Sequence, residues 1–256
     1  MLIRQAAFYL GRSGLETWQA EKLRKLCTYF HASVSLFNVS QCCRVPLENS
    51  LKVMAAGNKP GDFCLLFIEG MDAELAHLVL LDYISEHFKI FQPEQDFNFV
   101  QHAGVECFFH LLTAADFTRQ AVIDKNTLLR EIGGYIKMSA DSCPAGELFL
   151  LREKHAATVM GPQVALPHIM TELITVPSII LASLPEPLDW HSPRGPVRCI
   201  IAAALPKPAS VKMIRAFTNL SKKLVDENIC RLFVDAPAPL QSAMLAAMLS
   251  GQGKNQ

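Results

Sequence analysis

The chain has 256 residues, half of them hydrophobic and only 19% charged, with Lys+Arg and Asp+Glu balanced at 24 each. That balance supplies a packed core and excludes a disordered chain, which needs low hydrophobicity and a large net charge. It also excludes a broadly basic face for nucleic acid or an anionic membrane.

In chain order, the apolar run 3–10, ended by Gly11, Ser13 and Gly14, predicts a first strand. Residues 16–30 predict a helix, with Leu15, Leu23, Leu26, Cys27 and Phe30 near one face. Val34, Leu36 and Val39 mark a strand, and 41–45 a second short one. Residues 47–54 fit a short helix before the turn at 57–60, and 63–68 a buried strand. Asp72 is placed to cap a helix bearing Ala76, Val79, Leu80 and Tyr83 on one face. The order is β-α-β-β-α-β-α over 1–90. Residues 91–105 lose periodicity and are read as a linker.

The second domain is expected over 106–250, with a frayed tail at 251–256. It opens with the apolar stretch 111–122 and continues through helices at 126–138 and 144–154. The runs 176–184 and 197–204 predict central strands buried on both faces, and 211–225 and 240–249 predict helices. No apolar run approaches the roughly 20 residues of a spanning helix. The first residues lack an export signal, so a cytoplasmic location is expected. In that reducing setting the eight cysteines, which form no C-x-x-C pair, are read as small buried hydrophobes.

One stretch carries chemistry. Val164, Ala165 and Leu166 lead through Pro167 to His168, and Arg152 lies upstream at the end of an expected helix. Proline fixes its own φ and stiffens the residue before it, so the imidazole is presented on a defined backbone. A nucleophilic histidine needs a neutral nitrogen, and an unperturbed pKa of about 6.5 supplies one at pH 7. An arginine fork is the natural partner for phosphate oxygens.

Arg152-Glu153-Lys154 followed by Gly161, Val164, Ala165, Leu166, Pro167 and His168 resembles the signature of the fructose/mannitol/nitrogen-regulatory type of enzyme IIA. That family belongs to the phosphoenolpyruvate:sugar phosphotransferase system (PTS), and the likeness extends over about 108–249. It implies that His168 accepts a phosphoryl group from a histidine phosphocarrier protein, that Arg152 stabilises it, and that a IIB domain of a sugar permease receives it. Ser210 stands at the position of the family's usual second histidine. A neutral donor in place of a charged one costs about 1 kcal/mol, a factor of several in rate. Pro162-Gln163 replaces the usual turn, and Ile169 stands where glycine usually follows the histidine, which is expected to narrow access.

The first half resembles a histidine phosphocarrier without its histidine. Gly14-Leu15-Glu16-Thr17-Trp18-Gln19-Ala20 lies where that family has G-L-H-x-R-P-A. The reactive histidine thus falls on Glu16 and its arginine on Trp18, a degenerate carrier site. Glu16 reads either as a helix-capping acid or as a fixed mimic of the phosphorylated carrier. Trp18 reads either as a docking residue or as an inward-packing one. The other histidines are assigned structural roles.

The expected fold is α/β (α+β): an open-faced β-sandwich of phosphocarrier type followed by an α/β/α sandwich of enzyme IIA type. The implied function is that of a PTS phosphotransferase component. The resemblance implies no metal or cofactor, no nucleic acid and no membrane insertion. The rival reading is a non-catalytic regulatory binding protein that meets a regulatory protein target.

Overall fold

The computed structural model describes residues 2–92, 108–113, 124–139 and 143–250. The chain divides into two compact units, one of Met1–Glu106 with Ala243–Gln256 and the other of Cys107–Ser242.

In the first unit β1 (Leu2–Tyr9), α1 (Thr17–Cys27), β2 (Ser33–Asn38), β3 (Cys43–Pro46), α2 (Ser50–Ala55), β4 (Phe63–Gly70) and α3 (Ala73–His87) follow the expected order, and a short β5 (Lys89–Ile90) is added. The sheet runs β3-β2-β4-β1-β5 with antiparallel neighbours. Alternation along the strands turns Ala6, Phe8, Val34, Leu36, Leu66 and Ile68 into one core with Leu23 of α1 and Ala76, Leu80 and Ile84 of α3. Tyr9, Phe63 and Leu65, on the other face, are buried too. Phe91 extends the pairing, since its N–H donates to the Ala7 carbonyl at 2.8 Å and its ring lies 5.7 Å from Phe63. From residue 93 onward the expected linker lies outside the described residues, as do 114–122 of the apolar stretch and the tail.

Two local expectations change. The first helix ends at Cys27 rather than Phe30, where the Thr28 hydroxyl donates to the Lys25 carbonyl at 2.7 Å. Asp72 stands at the N-cap of α3, but its side chain does not cap the helix. It accepts instead from the His31 N–H at 2.7 Å, which ties the entry to β2 to the start of α3. Gly14 has φ +73°, and a Cβ there would stand 2.5 Å from the Asn58 carbonyl oxygen. The turn before α1 therefore lies directly on the loop before β4.

In the second unit β6 (His110–Thr113), α4 (Lys125–Gly134), α5 (Ala145–His155), β7 (Val159–Gly161), β8 (Gln163–Ala165) and β9 (His168–Thr171) precede the long β10 (Ser178–Leu188) and β11 (Val197–Pro206). The helices α6 (Val211–Lys223), α7 (Glu227–Asp235) and α8 (Ala238–Ser250) follow, and α8 crosses the division between the units. The sheet order is β6-β10-β11-β8-β7, with β9 also paired to β11. β10 and β11 are antiparallel to each other but run parallel to their outer neighbours β6, β8 and β9. Their apolar runs are buried on both faces, as predicted.

α4 and α5 cross at glycines. A Cβ on Gly133 would lie 2.2 Å from the backbone nitrogen of Gly146, so the contact has no room for a methyl group. Backbone cannot yield as a flexible side chain does, and this outweighs the helix propensity that alanine adds. Gly133→Ala is expected to cost about 1–3 kcal/mol, read as a lower urea midpoint.

The cysteines depart from the uniform expectation. Cys27, Cys64, Cys199 and Cys230 are buried, but Cys42 and Cys43 are half-buried and Cys143 is exposed; Cys107 lies outside the described residues. Burial pushes the Cys27 and Cys199 thiols up to about 12 and the Cys230 thiol up to about 11. The thiolate is the nucleophile, so these three stay unreactive at neutral pH. Peptide mapping after brief iodoacetamide treatment of the native protein is expected to find Cys143 alkylated first and Cys27, Cys199 and Cys230 unmodified.

Candidate functional site

β8 and β9 lie along the same side of β11, with Ala165 opposite Ile200 and His168 opposite Ala203. Between them Pro167 interrupts the donors, but its carbonyl still accepts from the Ala203 N–H at 2.9 Å. The histidine is therefore held at the first position of a paired strand. Its half-buried ring packs 5.5 Å from Phe217 of α6, tilted by 54°. His168 Nδ1 lies 3.0 Å from the Leu166 carbonyl oxygen. A carbonyl only accepts, so this hydrogen bond places the ring proton on Nδ1 and the lone pair on Nε2.

Arg152 lies in the last turn of α5, which packs against β9. The two predicted residues thus stand on neighbouring elements. The guanidinium donates to the Ala156 carbonyl at 3.1 Å rather than to the imidazole. Ser210 is the N-cap of α6, and its oxygen accepts from the Met213 N–H at 3.2 Å. It therefore begins the helix whose Phe217 meets the histidine ring. Ile169 does not add bulk at the surface. Alternation in β9 buries its side chain in the core, and Met170 is exposed instead.

Sequence reasoning passed over Glu153. Its side chain is 2% exposed and lies 2.9 Å from Lys125 Nζ. The same carboxylate accepts from Trp190 Nε1 at 3.0 Å, from the Thr158 N–H at 3.2 Å, and from the Thr158 hydroxyl. Phe149, Leu150 and Glu153 share the buried face of α5, so helical spacing alone could have marked this carboxylate as inward.

Residues 117–241 match the family model of the phosphoenolpyruvate-dependent sugar phosphotransferase system, EIIA 2. The second half of this chain is therefore similar to the enzyme IIA domains of that system. Over 77 residues the chain is similar to a multiphosphoryl transfer protein of Shigella flexneri, at 35% identity, the match making up 30% of this chain and 9% of that protein. It is also similar to a PTS system fructose-like EIIA component of Escherichia coli K12, 25% identical over 105 residues, covering 41% of this chain and 71% of that one. Among solved structures, the nitrogen regulatory protein IIA-Ntr from Neisseria meningitidis aligns over 53% of this chain and 91% of its own, at 21% identity and a TM-score of 0.42. This chain spans only about a tenth of the length of the multiphosphoryl transfer protein.

Outside the matched residues, the first unit has the element order expected of it, and Glu16 and Trp18 lie at the start of α1. Glu16 is the N-cap of α1, and its N–H donates to the Gln19 side chain at 2.9 Å. The Trp18 indole N–H donates to the Glu16 carboxylate. Trp18 is 53% exposed and meets the His87 ring edge-on at 5.3 Å. Asn49 caps α2 by accepting from the Lys52 N–H at 3.0 Å. No helix among the described residues is long and apolar enough to cross a membrane.

Proposed function

We propose that the chain is a phosphoryl carrier of the sugar phosphotransferase system, working in the cytoplasm. It takes a phosphoryl group onto His168 from a histidine phosphocarrier protein and passes it to a IIB domain. The observation that carries this reading is the Nδ1 hydrogen bond to Leu166 at 3.0 Å, which leaves Nε2 as the nucleophile. Nε2 attacks phosphorus while the donor's N–P bond breaks and its electron pair returns to the donor imidazole. The Leu166 carbonyl then stabilises the proton on Nδ1 as the ring gains positive charge. Transfer to the IIB acceptor reverses these roles.

Arg152 supplies the positive charge for the transferring oxygens once its guanidinium turns from Ala156. The Ser210 oxygen accepts a backbone bond, so its O–H is the group left to donate. A charge-assisted hydrogen bond is worth about 1.5–3 kcal/mol. Arg152→Ala is therefore expected to slow single-turnover transfer by roughly 10–100-fold.

The experiment is incubation with phosphoenolpyruvate, enzyme I and a phosphocarrier, read as intact mass. One phosphoryl adduct supports the carrier. A chain that stays unlabelled under conditions that label an ordinary enzyme IIA supports the regulatory binder instead. The Glu16–Trp18 pair favours that second role for the first unit, because the Glu16 carboxylate repels an incoming phosphoryl group and Trp18 brings an indole rather than a cation to offset that charge.

A further inference from the structure

We infer that Glu153 is a positioning residue that sets the tautomer of His168 and holds the turn from which Arg152 projects. Its catalytic meaning rests on the carrier reading; its geometry does not.

Three hydrogen-bond steps join the buried carboxylate to the imidazole. Glu153 accepts from the N–H and hydroxyl of Thr158, the N–H at 3.2 Å. The Thr158 carbonyl accepts from the Leu166 N–H at 2.9 Å. The Leu166 carbonyl faces His168 Nδ1 at 3.0 Å. Every link runs in one direction, from donor toward the carboxylate, so Glu153 fixes Thr158, Thr158 fixes the backbone at Leu166, and that backbone aims its carbonyl at the ring.

The far side of the carboxylate is anchored as firmly. Trp190 Nε1 and Lys125 Nζ reach Oε2 at 3.0 and 2.9 Å, and the lysine side chain is only 11% exposed. The residue is therefore pinned from α4, from the segment before β7 and from the loop after β10. Arg152 is its neighbour in the chain. One buried group fixes the attitude of both residues assigned to the chemistry, in the way that outer partners fix a metal-bound histidine.

The test compares the wild-type chain with the double variant Lys125→Met/Glu153→Gln. Removing both charges together leaves neither one buried and unpaired. Long-range ¹H–¹⁵N spectra of the His168 ring report its tautomer without any phosphotransfer, and a melting curve reports folding. The wild type is expected to show the Nδ1–H form. The folded variant is expected to show mixed tautomers, with kcat/KM for phosphorylation by the phosphocarrier down about tenfold. A folded variant that keeps the wild-type tautomer overturns the inference, whatever its transfer rate. If the double variant does not fold, Glu153→Gln alone, which removes the anchoring charge with little change of shape, is read by the same spectra with the same two outcomes. A tautomer shift in a chain whose wild type never takes up phosphate leaves the positioning intact and sinks the carrier reading instead.

Discussion

His168→Ala is expected to lose the phosphoryl adduct completely, while the wild-type chain gains one from phosphoenolpyruvate, enzyme I and a phosphocarrier. The argument is one of competing nucleophiles. Other described histidines are either engaged or differently placed: His191 Nδ1 lies 2.9 Å from Asp189, and His87 is wedged among the rings of Trp18 and Tyr83. Among the described histidines, only His168 combines a carbonyl that fixes its proton, a rigid proline before it and an adjoining helix that carries an arginine. Alignment and charge stabilisation supply nearly all of the catalysis in phosphoryl transfer, so a misplaced histidine is not a weak substitute but an inactive one. The change should leave the melting midpoint nearly untouched, because the ring is half-buried and its one hydrogen bond is to backbone. Intact mass and a thermal melt on the same sample check both halves of the expectation. An adduct that persists in the variant would move the site elsewhere.

Trp190→Ala is expected to have the largest effect on stability. The indole is fully buried, donates to Glu153 at 3.0 Å and carries Lys125 Nζ 5.2 Å above its ring. Truncating a buried aromatic of this size costs about 3–5 kcal/mol. The loss of the Nε1 donor adds to that by leaving the carboxylate under-satisfied. For a domain of this size the melting midpoint should fall by roughly 10 °C or more. Trp190→Phe separates the terms, since it keeps most of the volume and removes only the donor. It should lose a minor part of the stability. Equal melting curves for Trp190→Ala and the wild type would contradict the packing described for the second unit.

Much of this architecture was legible in the residues because it rests on local rules. Alternation and unbroken apolar runs located β1, β4, β10 and β11, and helical spacing located α1, α3 and α6. What escaped was long-range. β9 is only four residues long, and its pairing with β11 is decided by a parallel register no local pattern encodes. Asp72 occupies a cap position yet spends its carboxylate on His31, because a tertiary partner outcompeted the helix end. The site divides the same way. His168, Arg152 and Ser210 were expected from a motif, and the structure places them on β9, in the last turn of α5 and at the N-cap of α6. Glu153 stood inside the same motif, but its four donors come from Lys125, Thr158 and Trp190, which are dispersed along the chain.

The most direct test of the carrier account is the position of the phosphoryl group on the ring. Phosphorylated, ¹⁵N-histidine-labelled protein should show coupling of phosphorus to Nε2 of His168, with the proton retained on Nδ1. Coupling to Nδ1, or a phosphoryl group on any other residue, would contradict it.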